Sequence, residues 1–144
     1  MQMTTTHLTL AWALRGIGLD DDAARLMARA SGAHTELRDA ESAVSCLRWA
    51  AEELRRLHSE LESVASTIQA ALAPRWRSEA AREYAERTDG LHRTARDCAD
   101  EALQWLLLCS QATEEAETAV GEARRRLEIA EAAAHAALMA GVPA

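Results

Sequence analysis

Leu47, Leu54, Leu61 and Ile68 recur every seven residues. That interval is two turns of α-helix, so the four side chains line one face; a strand, with its period of two, would scatter them. Ala43, Ala50, Leu57, Val64 and Ala71 fill the offset line, and the two lines together read as an a/d seam over about four heptads. A third line, Val44, Ala51, His58, Ala65 and Leu72, borders them. The resulting stripe is wider than a two-stranded coiled coil needs and suits a helix with two neighbours. Leu72-Ala73-Pro74 ends the run, because proline lacks an N–H and disfavours helix at the residue before it. The pattern predicts helix 1 over 35–72, roughly 55 Å long.

A second helix is predicted over 78–139, after a turn at 73–77. Ala81, Thr88, Ala95, Ala102, Cys109, Ala116, Ala123, Ala130 and Ala137 form one heptad line; Tyr84, Leu91, Cys98 and Trp105 form the next. Beyond Trp105 the large residues move over by one position, to Leu106, Val120 and Leu127, as a 3.6-residue helix drifts against a strict seven. Asp89-Gly90 is a turn signal inside this run, and glycine costs a helix interior about 1 kcal/mol relative to alanine. The apolar register passes through it, which predicts one continuous helix; a break there is the alternative.

Folding the chain at 73–77 pairs position i with roughly 149 minus i, so helix 2 runs out of partner beyond about residue 112. The N-terminal segment, 1–34, is the right length to cover the remainder. Its expected elements are a short helix at Leu8–Leu14, ended by Gly16 and Gly18, and another from Asp21 to Ala30, capped by Asp20 and stopped by Gly32. Trp105-Leu106-Leu107-Leu108-Cys109 is apolar on every side, which places Trp105 opposite Val44 where that segment should join. The expected fold is all-α: a long antiparallel helical hairpin with a short helical N-terminal segment packed on the extended second helix. All 144 residues form a single helical domain, a length that supports one core.

Composition narrows the function. The net charge is −7, and acidic and basic residues are interspersed, as in the i,i+4 pairs Glu52/Arg56 and Glu122/Arg126. No basic face exists to hold phosphates, which argues against nucleic acid. No apolar run approaches the ~20 residues of a membrane span, and Met1–Leu14 lacks the basic start and long apolar core of a cleaved signal peptide. All 16 basic residues are arginine, and lysine, asparagine and phenylalanine are absent, a usage that suggests a high-GC bacterial genome.

No catalytic constellation emerges. Cys46, Cys98 and Cys109 are odd in number and read as buried free thiols rather than a disulfide framework. His7, His34, His58, His92 and His135 are scattered, and no Glu-x-x-His pair exists. His58 with Glu62 could share a metal at i,i+4, but a lone histidine on a stripe edge is far more often packed or solvated. Glu114, Glu115 and Glu117 form a solvated face. Nucleophile triads and glycine-rich phosphate loops are absent. The expectation is a non-enzyme that needs no cofactor and no metal.

Trp76-Arg77-Ser78 occupies the junction between the helices, followed by Glu79-Ala80-Ala81, Tyr84 and, at helical spacing, Leu91. Over roughly residues 40–120 this resembles the WXG-type, early secreted antigen-like helical hairpins of type VII secretion, with serine in place of the glycine. The resemblance implies a chain held in the cytoplasm and then exported by a dedicated membrane ATPase without a cleaved signal peptide. It further implies pairing with itself or a second helical hairpin in a four-helix bundle. Trp76, Ser78 and Tyr84 become the docking residues, with Leu47, Leu54, Leu57, Leu61, Val64, Ile68, Leu91 and Trp105 packing the helix seam. Two departures stand out. The Tyr-x-x-x-Asp/Glu that often follows the second helix is missing, since the only tyrosine, Tyr84, has Thr88 at +4. The chain also exceeds the usual hairpin length at both ends. The alternative is a cytoplasmic helical-bundle adaptor or structural dimerisation protein unrelated to secretion, in which Trp76 plugs the bundle end.

Overall fold

The computed structural model describes residues 21–72 and 77–140. They form two helices, α1 (Asp21–Ala71) and α2 (Glu79–Ala140), packed as an all-α helical hairpin, with no strand among the described residues. Asp20, the expected helix at Leu8–Leu14 and the side chain of Trp76 lie outside the described residues. α2 passes through Asp89-Gly90 unbroken. Arg93 Nε donates to Asp89 Oδ2 at 3.2 Å one turn on, so this aspartate serves the helix rather than a turn, and the ion pair holds the Arg93 guanidinium above its usual range.

α1 begins at Asp21, not at residue 35, and Gly32 lies inside it instead of ending a short helix. The reason is visible in two lines that continue through the glycine: Ala23, Ala30, Leu37, Val44 and Leu26, Ala33, Ala40, Leu47. Continuous burial along one face outweighs the ~1 kcal/mol glycine penalty. Nothing within 4 Å would meet a Cβ at Gly32, so neither close approach nor unusual backbone demands a glycine there.

The chain divides into two compact units. Unit 1 comprises residues 1–45 and 114–144. Its core is Leu37, Ala123 and Leu127, with Ala33 and Val120 packed against them. Ala23, Val44 and Ala134 are also buried. Ion pairs flank both sides of this seam. Arg124 meets Glu41 at 3.4 Å, and Arg126 meets Glu36 at 3.4 Å and Glu122 at 3.9 Å. Among the described residues, then, α1 itself covers the far part of α2.

Unit 2 comprises residues 46–113. Among its described residues the buried ones are small: Ala51, Ala65, Ala81, Ala95, Ala99 and Ala102, with Thr88 as the one that is polar. The Thr88 hydroxyl donates to the Tyr84 carbonyl at 2.7 Å, so its burial leaves no unmet polar group. The seam is centred on the Ala51–His58–Ala65 line, one line away from the expected place. Leu47, Leu54, Leu61 and Ile68 are half-buried beside it, whereas Leu57, Val64, Leu91 and Trp105 are exposed and do not pack the seam. Both candidate lines are apolar, so periodicity alone does not choose between them. Small side chains at the contact let two helix backbones approach closely, which pushes bulky leucines to the flank.

His58 lies in this seam, and its Nδ1 is 3.0 Å from the carbonyl of Ala99 on α2. A carbonyl only accepts, so Nδ1 carries the proton. The expected pairing put His58 level with residue 91; the observed partner is eight residues further along. Sliding one helix by a heptad keeps both apolar stripes facing, so the repeat leaves this register open.

Candidate interaction surface

α2 starts with a capped end. The Ser78 hydroxyl accepts from the Ala81 N–H at 3.2 Å, and the Ser78 carbonyl accepts from the Arg82 N–H at 3.1 Å. Serine is a preferred N-cap because its oxygen satisfies an N–H that the first turn leaves unpaired. Glu79 in the first turn complements the helix dipole. Ala81 is buried in the seam, and Tyr84, one turn further, is about half exposed at 49%. Of the three expected docking residues, then, Ser78 performs a local structural task, Tyr84 is about half exposed, and Trp76 lies outside the described residues.

Other candidate chemistry does not assemble. Among the described residues no group of three His, Cys, Asp or Glu side chains could hold a metal ion. His58 Nε2 stands 3.8 Å from Glu62 Oε1, a partly solvated pair rather than a ligand set. All three cysteines are free, but Cys46 and Cys98 are exposed and only Cys109 is half-buried, contrary to the expectation of buried thiols. A hollow of about 210 Å³ in unit 1 is lined by Met27, Ala30, His34, Glu131, His135 and Leu138 among others, and is mostly apolar. No helix among the described residues is long and apolar enough to cross a membrane.

The distinctive surface is one side of unit 2. In an antiparallel helix pair, equivalent heptad lines of the two helices fall on the same side of the seam. Unit 1 shows the rule directly: Glu36 and Arg126, from one such pair of lines, form an ion pair, and Glu41 and Arg124 do so from the other pair. Within unit 2 the lines equivalent to Glu36 and Arg126 carry Ala50, Leu57, Val64 and Ala71 on α1 and Tyr84, Leu91, Cys98 and Trp105 on α2. No charged residue interrupts them. Leu57 is 45% exposed, Val64 49%, Leu91 61% and Trp105 54%. The opposite side carries Arg55, Glu62 and Gln69 on α1 and Arg82, Asp89 and Arg96 on α2. Leu108, on the next line outward, adds exposed apolar surface beside Trp105, whereas Leu103, on the Arg82–Asp89–Arg96 line, and Leu107 are exposed on other faces of α2.

No family model matches the chain, and no curated protein or solved structure does either.

Proposed function

We propose that the chain is a non-enzymatic helical-hairpin protein of a type VII secretion system, either an exported substrate or a dimerising targeting or chaperone partner. The reading rests on the hairpin whose junction carries Trp76-Arg77-Ser78, with α2 capped by Ser78 immediately after it. A glycine at that position would leave the cap to backbone alone; serine supplies an oxygen, which accounts physically for the departure from Trp-x-Gly. Trp76 and Tyr84 are the residues assigned to docking on the secretion ATPase. The chain resides in the cytoplasm before export and leaves without a cleaved signal peptide.

The experiment is a secretion assay in the native host, with and without the type VII ATPase and with Trp76→Ala. Export that requires the ATPase and falls in the variant, while its melting temperature stays near wild type, is the expected result. ATPase-independent export, or none under any condition, overturns the reading.

One observation favours the second reading, a cytoplasmic helical-bundle adaptor. Thr88, at +4 from Tyr84, is buried in the seam with its hydroxyl bound to the Tyr84 carbonyl, so no acidic signal is presented there. On the secretion reading a partner must supply that signal, and export of this chain should then require co-expression of a second helical hairpin that carries it.

A further inference from the structure

We propose that the uncharged side of unit 2 is a groove that seats one amphipathic helix of about 20 residues, whose apolar stripe is flanked by arginine or lysine. The inference goes beyond the secretion reading and does not depend on it.

The length follows from the face. Within unit 2 the α1 line stays uncharged from Ala50 to Ala71, and the large residues of the uncharged α2 line run from Tyr84 to Trp105. Each span is about three turns to either side of its middle, on the order of 30 Å, which one helix of about 20 residues covers. Leu57, Val64, Leu91 and Trp105 stand along the two walls, and the half-buried Leu54, Leu61 and Ile68 form the floor on the α1 side. Their combined exposed area is on the order of 500 Å², at the upper end of what an isolated monomer shows and more than half of one partner's share of a standard interface. The buried alanines explain why the surface exists. Because small residues take the middle of the seam, Leu57, Val64, Leu91 and Trp105 stand outside it.

The sign of the flanks follows from the next lines outward. Bordering the groove, α1 carries Cys46, Glu53, Glu60 and Thr67, and α2 carries Arg87, Thr94, Glu101 and Leu108. Three carboxylates, of which Glu53 is paired with Arg56 at 2.6 Å, face one guanidinium across the rim, and the whole chain carries −7. A second copy would bring the same acidic rim against itself, whereas a helix with basic flanks meets it favourably. An anionic membrane surface is disfavoured for the same reason.

The test uses the full chain and two labelled synthetic peptides of about 25 residues with the same leucine stripe, one flanked by lysine and the other by glutamate, followed by fluorescence anisotropy. The lysine-flanked peptide should bind roughly tenfold more tightly or better, and the difference should shrink as salt is raised. Leu57→Gln and Leu91→Gln should each weaken that binding roughly tenfold with the helical circular dichroism unchanged, because both side chains are already largely exposed. Gln69→Ala, on the opposite side, should leave it as it is. Equal affinity for the two peptides, no binding of either, or binding that survives both groove substitutions overturns the proposal. Sedimentation supplies the remaining outcome: a wild-type dimer that Leu57→Gln or Leu91→Gln converts to monomer would mean that a second copy occupies the groove, and the proposal would fall.

Discussion

In unit 1 the middle of the seam holds Leu37 and Leu127, with Val120 beside them; in unit 2 the middle is held by Ala51, Ala65, Ala95, Ala99 and Ala102. Both units use the same heptad lines, so secondary structure does not distinguish them. What differs is where the large side chains stand. Unit 1 places leucines between its helices and closes one side with Glu36–Arg126 and the other with Glu41–Arg124. Unit 2 places alanines between its helices and leaves Leu57, Val64, Leu91 and Trp105 outside. A buried leucine removes about three more carbon groups from water than a buried alanine, each worth about 0.8 kcal/mol. Unit 1 therefore draws its cohesion from within. Unit 2 carries its unused apolar surface outward, where only a partner can bury it.

The largest consequence concerns unit 1. Leu127→Ala should cost about 2–5 kcal/mol, because the side chain is 7% exposed and its removal opens a cavity beside Leu37. Chemical denaturation reads the effect. A loss under 1 kcal/mol would erase the difference between the units, since the leucines of unit 1 would then matter no more than exposed ones.

In unit 2 the corresponding change is smaller. Leu61 was expected at the centre of the seam but is only half-buried at its edge. Leu61→Ala should cost about 1–2 kcal/mol, below the range for fully buried leucines. A cost equal to that of Leu127→Ala would return the seam of unit 2 to the leucine line.

This contrast marks how much of the molecule was legible in the sequence. The all-α class, two long helices, the continuity of α2 through Asp89-Gly90 and the alanine line of α2 all follow from a seven-residue repeat. The repeat could not choose between adjacent apolar lines on α1, because Leu54–Leu61 and Ala51–Ala65 are equally periodic. Nor could it set the slide of one helix along the other, as His58 and Ala99 show. Gly32 carries a stop signal because glycine often ends helices, but that signal is local, and the lines running from Ala23 to Val44 override it. The exposed side of unit 2 had a readable mark: its lines carry no charge, while the same lines carry Glu36 and Arg126 in unit 1. Exposure could not be inferred from that mark, since a seam is also uncharged. The capping role of Ser78 rests on the contact of its hydroxyl with the Ala81 N–H, which the residue type alone does not fix.

Helix continuity gives the next effect, one that should be the same in both units. Gly32 in α1 and Gly90 in α2 have open space where a Cβ would stand. Gly32→Ala and Gly90→Ala should each raise stability by about 0.5–1 kcal/mol, through lower chain entropy in the unfolded state and better helix propensity. Thermal melts of the two variants check it. A loss at Gly90 alone would show that unit 2, unlike unit 1, needs a flexible point in its helix.

The smallest effect is the sharpest test of the comparison. Leu91 is 61% exposed, so the folded chain on its own draws little from its side chain. Leu91→Gln should change stability by no more than about 0.5 kcal/mol, as surface substitutions usually do. The same replacement at Leu127 would bury an amide without a partner and should cost several kcal/mol, combining a lost transfer term with an unmet hydrogen-bonding group. The two variants place the same glutamine at an exposed position of unit 2 and at a buried position of unit 1. If Leu91→Gln destabilises the isolated chain as severely as Leu127→Gln, Leu91 is covered in solution and its side of unit 2 is already occupied. If the chain tolerates it, that surface is open, and the large apolar residues that unit 2 keeps out of its own seam remain available to a partner.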